Sequence, residues 1–244
     1  MGGDDQERIR RALRYGPPIV LALLSLWFGL ALAFLVASLS KSKGAATPAG
    51  RKIFHIAIFS GAVPAQLTLG FWGVVIYGSI LSVMVLGIYL KGSGSVIFDA
   101  ISPPGDGDGL RRTVPAPFLA TVFGGLLGTL LAGQFAIVGY LVCGWGDAAG
   151  EIVGKRWGRR GLPAPFWAGT GSRRTLEGSL AVFLCGALGT VIATSLLGYP
   201  FHQAVGAGLL CGGSGAVAEA LSGPATDNFW TQIVPTLVAW WWLT

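Results

Sequence analysis

The chain predicts an all-α fold, a polytopic transmembrane bundle of about eight helices, with a range of seven to nine. Three observations lead there. Hydrophobic residues make up 52% of the 244 residues, charged residues only 11%, and the mean hydropathy is +0.65; soluble domains carry about 25% charged residues. Ile19 to Leu39 contains no charge, which is enough helix to cross a hydrocarbon core of about 30 Å. Charges in the second half are gathered rather than spread. Of the eleven beyond residue 113, nine lie between Asp147 and Glu177, and the other two are Glu219 and Asp227. A charge inside a membrane costs several kcal/mol unless paired, so such gathering marks a functional site.

The elements follow in order. A first helix is expected over 18–39, preceded by acids and by Arg8, Arg10, Arg11 and Arg14. The apolar run after them is too long for the core of a cleaved signal. We divide the chain into an N-terminal segment, 1–40, and a polytopic catalytic membrane domain, 41–244. A basic linker, 41–52, leads to an apolar stretch too long for one span. Pro64 and Gln66 are expected to turn it, giving helices over 53–65 and 68–90. Loop 91–113 carries Pro103-Pro104-Gly105-Asp106-Gly107 turn chemistry. Two helices should fill 114–154 with a break near Gly133. After basic loop 155–174, helices are expected at 176–197 and 201–221, parted by Gly198-Tyr199-Pro200. The last, 229–243, ends in Trp240-Trp241-Trp242, suited to a membrane interface.

The net charge of +6 does not indicate nucleic acid, because it sits in loops between apolar spans. Lys and Arg number four in 41–52, three in 91–113 and six in 155–174, while the connections near 66, 133 and 199 have none. The positive-inside bias then predicts an integral membrane protein with loops 41–52, 91–113, 155–174 and 222–228 in the cytoplasm. The N-terminal arginines fall on the far side in this count, so the first helix is re-entrant, peripheral or miscounted by one. Cys143, Cys185 and Cys211 lack metal-ligand spacing and read as small buried hydrophobes.

Asp147, Glu151 and Lys155 recur every four residues, which places them on one helix face. Two carboxylates so placed suit Mg²⁺ held jointly with the phosphates of a nucleotide. Arg173 and Arg174 are donors for phosphate oxygens. Thr175 can cap the following helix, whose amide end also attracts anions. The plainer readings are intrahelical pairing of the acids with Lys155 or Arg156, dipole complementation by Glu177, and topology-setting roles for Arg156, Arg159 and Arg160. Two further clusters are Glu219/Asp227/Asn228 and Arg51-Lys52-Ile-Phe-His55. Glu219 and Asp227 have no Lys or Arg in the final seventy residues. Buried carboxylates need cations, so this cluster is expected to meet the Asp147 cluster in space.

At these residues the chain resembles the CTP-dependent lipid-alcohol kinases: dolichol kinase, phytol and farnesol kinases and the yeast-type diacylglycerol kinase. Phosphatidate cytidylyltransferases are more distant kin. The resemblance covers roughly residues 50–240. It rests on Arg51-Lys52-x-x-His55, Gly146-Asp147-x-x-Gly150-x-x-x-Gly154-Lys155-x-x-Gly158, Arg174-Thr175-Leu-Glu177-Gly178-Ser179 and Glu219-Ala-Leu-Ser-Gly-Pro-Ala-Thr-Asp227-Asn228. One departure is Arg173-Arg174, where many relatives carry a Lys before the Thr.

The resemblance implies transfer of the CTP γ-phosphoryl group to a lipid hydroxyl with Mg²⁺. The acceptor would be a polyprenol or dolichol, a phytol- or farnesol-type alcohol, or diacylglycerol, and membrane lipids would surround it. Asp147, Glu151 and Glu219 would hold metal. Arg51, Lys52, His55, Lys155, Arg173, Arg174, Thr175, Glu177, Gly178 and Asn228 would meet the nucleotide. Lys155 and Arg174 would neutralise developing charge, and Asp227 or Asp147 would take the alcohol proton. The tail would lie in a groove between Gly-rich helices. Two rival readings share parts of this pattern. A CDP-lipid-forming cytidylyltransferase would carry further basic residues late in the chain, and no Lys or Arg follows Arg174. A cation-coupled transporter would hold its acids near the bilayer midplane.

Overall fold

A computed structural model describes residues 48–91, 115–163, 174–223 and 226–244. The expected helix over 18–39, most of loop 91–113 and Arg173 lie outside the described residues, as does the side chain of Arg51. The described residues are helical apart from turns and one short antiparallel bridge, Gly161 to Thr175. The helices are α1 (Pro48–Lys91), α2 (Pro115–Ala132), α3 (Ala136–Leu141), α4 (Ala148–Trp157), α5 (Leu176–Leu196), α6 (Phe201–Leu221) and α7 (Asp227–Leu243). A 3-10 turn, Gly133–Phe135, joins α2 to α3, and a π-helical segment, Val142–Asp147, joins α3 to α4. Among the described residues four stretches are long and apolar enough to cross a membrane: Lys52–Gly87, Pro115–Trp157, Leu176–Leu196 and Phe201–Leu221. The first two are folded back on themselves.

The expected turn at Pro64 and Gln66 is displaced. Pro64 lies inside α1, and the break falls at Gly70, with φ 57° and ψ −136°. Only glycine adopts that backbone without strain. A proline within a packed membrane helix is tolerated, and two residues before the break Thr68 Oγ1 donates back to the Pro64 carbonyl at 2.7 Å. The two arms of α1 then run antiparallel, tied by Tyr77 Oη donating to the Ile58 carbonyl at 2.8 Å. The second turn falls at Gly133 as expected, with φ 56°. It returns α3 along α2, where Tyr140 Oη and Thr129 Oγ1 lie 2.6 Å apart. Gly198, φ 85°, parts α5 from α6 as expected.

The turns collect at one end of the bundle. Gln66 Nε2 donates to the Gly133 carbonyl at 3.2 Å, and the rings of Phe135 and Tyr199 stand 6.1 Å apart. The charged motifs lie at the helix ends away from these turns. The buried core between is built from residues such as Phe59, Phe135, Ile137, Val142 and Ala193.

Candidate active site

Two helices set the first carboxylates. The π segment ends at Asp147 and α4 carries Glu151 and Lys155 on its first and last turns. Both acids reach one cation from α1: Lys52 Nζ lies 2.6 Å from Asp147 Oδ2 and 2.7 Å from Glu151 Oε2. The shared-face expectation therefore holds even though Asp147 sits in a wider turn. Lys52 is 6% exposed and Asp147 also 6%, so neither charge would be tolerated there alone. Lys155 Nζ meets Glu151 Oε1 at 2.6 Å on the exposed side. His55, one turn beyond Arg51, places Nε2 3.4 Å from Asp147 Oδ2 and from the Cys143 carbonyl, and its ring packs edge-on against Phe59.

The second cluster turns on Arg174. Its Nη1 is hydrogen-bonded to Glu219 Oε1, and its Nη2 lies 3.2 Å from Asp227 Oδ2. The cation that Glu219 and Asp227 require thus comes from the motif before α5. Burial, then the charge of Asp147, push the Asp227 carboxyl up to about 6 against the pull of Arg174. Asp227 opens α7, outside the four apolar stretches. Both clusters line one cavity of about 2130 Å³, so the expected meeting of the two motifs is observed.

The backbone between them is organised by the same residues. Thr175 caps α5, its Oγ1 accepting from Gly178 N at 3.1 Å. The Arg160 N–H points at both carboxylate oxygens of Glu177, 3.3 Å each, and the Leu176 N–H donates to the Arg160 carbonyl at 2.9 Å. Glu177 therefore holds the backbone at Arg160, shortly after α4. Gly150, Gly154 and Gly178 bring α4 and α5 into backbone contact: a Cβ on Gly178 would lie 2.9 Å from the Gly150 carbonyl oxygen. This is the small-residue packing used by membrane helices.

Several residues join the site that the sequence did not single out. Asn228 Nδ2 donates to Thr121 Oγ1 at 2.8 Å, and Gln232 Nε2 donates to the Thr121 and Asn228 carbonyls at 3.2 and 2.7 Å. Gln232 is 2% exposed, and a buried amide within an apolar helix is the signal that would have found it. Arg174 Nε and Ser179 Oγ, both on the cavity wall, are buried with no hydrogen-bond partner among the described residues. Orphaned donors of this kind call for an acceptor, and phosphate oxygens are the acceptors that Arg suits best.

Among the described residues no three His, Cys, Asp or Glu side chains gather as a metal cage. Mg²⁺ beside nucleotide phosphates does not need one, since one or two carboxylates suffice. Asp147 and Glu151, converging on a single cationic atom, have that character. Glu219 faces Arg174 and shares no partner with them. Lys155, Gly178 and Asn228 also line the cavity.

A helical membrane protein with paired acids and cations around one cavity is equipped for phosphoryl transfer at a lipid boundary. The chain is 32% identical over 200 residues to the phytol kinase of Synechocystis sp., a match covering 78% of this chain and 77% of that protein. It belongs to the lipid-alcohol kinase family. No family model matches it, and no solved structure matches it.

Proposed function

We propose that the chain transfers the γ-phosphoryl group of CTP to the hydroxyl of a long-chain isoprenoid alcohol, with phytol the first candidate, at the cytoplasmic face of its membrane. The observation that carries this reading is the single cavity, charged around Asp147 and Arg174 and apolar beyond them. The orphaned donors Arg174 Nε and Ser179 Oγ would take phosphate oxygens, joined by Lys155 and Arg173. Asp147 and Glu151 would hold Mg²⁺, which when bound neutralises phosphate charge. Asp147 holds the Lys52 ammonium at 2.6 Å and Asp227 the Arg174 guanidinium at 3.2 Å. Burial and the charge of Asp147 raise the Asp227 carboxyl to about 6, which suits it to accept the alcohol proton close to neutral pH. Asn228, tied to Thr121, would orient the hydroxyl.

The test is purified protein with γ-labelled CTP, ATP, GTP or UTP and a panel of phytol, geranylgeraniol, dolichol and diacylglycerol. Labelled phytyl monophosphate, formed faster from CTP than from ATP, is the expected product. Equal rates with ATP would remove the nucleotide assignment, and a CDP-lipid product would point to cytidylyl transfer. Sidedness has its own check. In a background lacking Cys143, Cys185 and Cys211, an Arg160→Cys variant should resist an impermeant thiol reagent in intact cells and react after permeabilisation. Labelling from outside would reverse the topology.

A further inference from the structure

The cavity continues well beyond the charged cluster. One wall is the second arm of α1, where Val75, Gly78, Ser82 and Val85 recur at helical spacing and stay partly exposed, while Val74, Tyr77 and Leu81 beside them are buried in the core. The facing wall is α2, with Phe118, Val122 and Leu126. Stripes of this spacing normally interlock when helices pack; here they border open space. Phe71 and Val85, both on the wall, are fourteen residues apart, about 21 Å of helix. Tyr77 turns its hydroxyl away into the Ile58 carbonyl. Val83, on the same wall, is 72% exposed, so the groove reaches the apolar side of the described helices. Its polar end is marked by Thr121 and Asn228, beside Asp227.

We propose that this groove seats the hydrocarbon tail of the acceptor alcohol, and that Gly78 on one wall and Val122 on the other set how long a tail can pass. The proposal rests on the kinase reading above. Gly78 lies midway between Phe71 and Val85, and a Cβ built there meets no heavy atom within 4 Å. The first atom of a side chain added at Gly78, a residue on the cavity wall, therefore meets no neighbour. Continuity with the charged end determines the occupant: a tail lying here carries its hydroxyl to Thr121, Asn228 and Asp227.

The experiment compares wild type, Gly78→Phe, Val122→Trp and Gly213→Phe on prenols of increasing length. Gly213 has the same open space around its Cβ but is not on the cavity wall. Gly78→Phe and Val122→Trp are each expected to lower kcat/KM for phytol and geranylgeraniol by about tenfold or more, leaving the shortest accepted prenol within about twofold of wild type. Gly213→Phe should keep the wild-type length profile. An active wild type whose profile is unchanged in both groove variants would overturn the groove alone, as would a loss uniform across all lengths. A wild type that phosphorylates no alcohol would overturn the kinase reading and this inference with it. Should one groove variant fail to fold, the other decides the question.

Discussion

Replacing Asp147 by Asn lowers turnover by about a hundredfold to a thousandfold, the cost of removing one electrostatic group from a site of this kind, while the protein still inserts and folds. The structure explains why the two effects separate. Lys52 keeps a partner in Glu151 at 2.7 Å after Asp147 loses its charge, so no buried ammonium is stranded. The amide also keeps the shape of the carboxylate within the π segment. What disappears is one of the two paired negative charges that the proposed nucleotide and metal binding would use. Initial rates with saturating CTP and alcohol, alongside the melting temperature in detergent, measure both quantities. Near-normal turnover in both Asp147→Asn and Glu151→Gln would remove the assigned role.

Arg174→Met has the opposite signature, with stability and activity lost together. Arg174 serves Glu219 and Asp227 at once, and the Glu219 side chain is only 5% exposed. Removing one partner of such a buried pair costs about 3–5 kcal/mol, because the carboxylates are left without their cation. A triple variant, Arg174→Met with Glu219→Gln and Asp227→Asn, should recover much of the lost stability and none of the activity. Arg174→Lys should recover little of either, since one ammonium cannot reproduce the fork that reaches both acids. If the triple variant melts no higher than Arg174→Met, the ion cluster is not what holds α6 and α7 to the start of α5.

Much of this arrangement was legible in the residues. Gly133 and the Gly198-Tyr199-Pro200 step punctuate apolar helices at the expected places, and Thr175 caps α5 as its position before Leu176 suggests. The spacing of Asp147, Glu151 and Lys155 foretold a shared face, and the late acids lacking local cations foretold a partner from elsewhere. The turn in α1 was misplaced because proline is the stronger breaker in water. Within a packed membrane helix it is accommodated, and the decisive residue is the glycine whose φ no other side chain adopts. The π segment at Val142–Asp147 has no periodic signature, since one wide turn shifts the phase by a single residue. Thr121 and Gln232 were overlooked for another reason. Isolated neutral polar residues in apolar runs carry little weight until a neighbour such as Asn228 is seen across the bundle.

The ion pairs at the site also make it a place of exchange. Lys52, Lys155 and Arg174 are already engaged by Asp147, Glu151, Glu219 and Asp227. In the proposed reading an arriving triphosphate could add directly at the unpartnered Arg174 Nε, but it would have to take the paired N–H groups over from the carboxylates. Each cation that changes hands releases an acid, and a released acid is what a divalent ion or a departing alcohol proton requires. The carboxylates would thus act as placeholders, keeping the cations folded inward until the proposed nucleotide arrives. Entry of one substrate would thereby prepare the groups that serve the other.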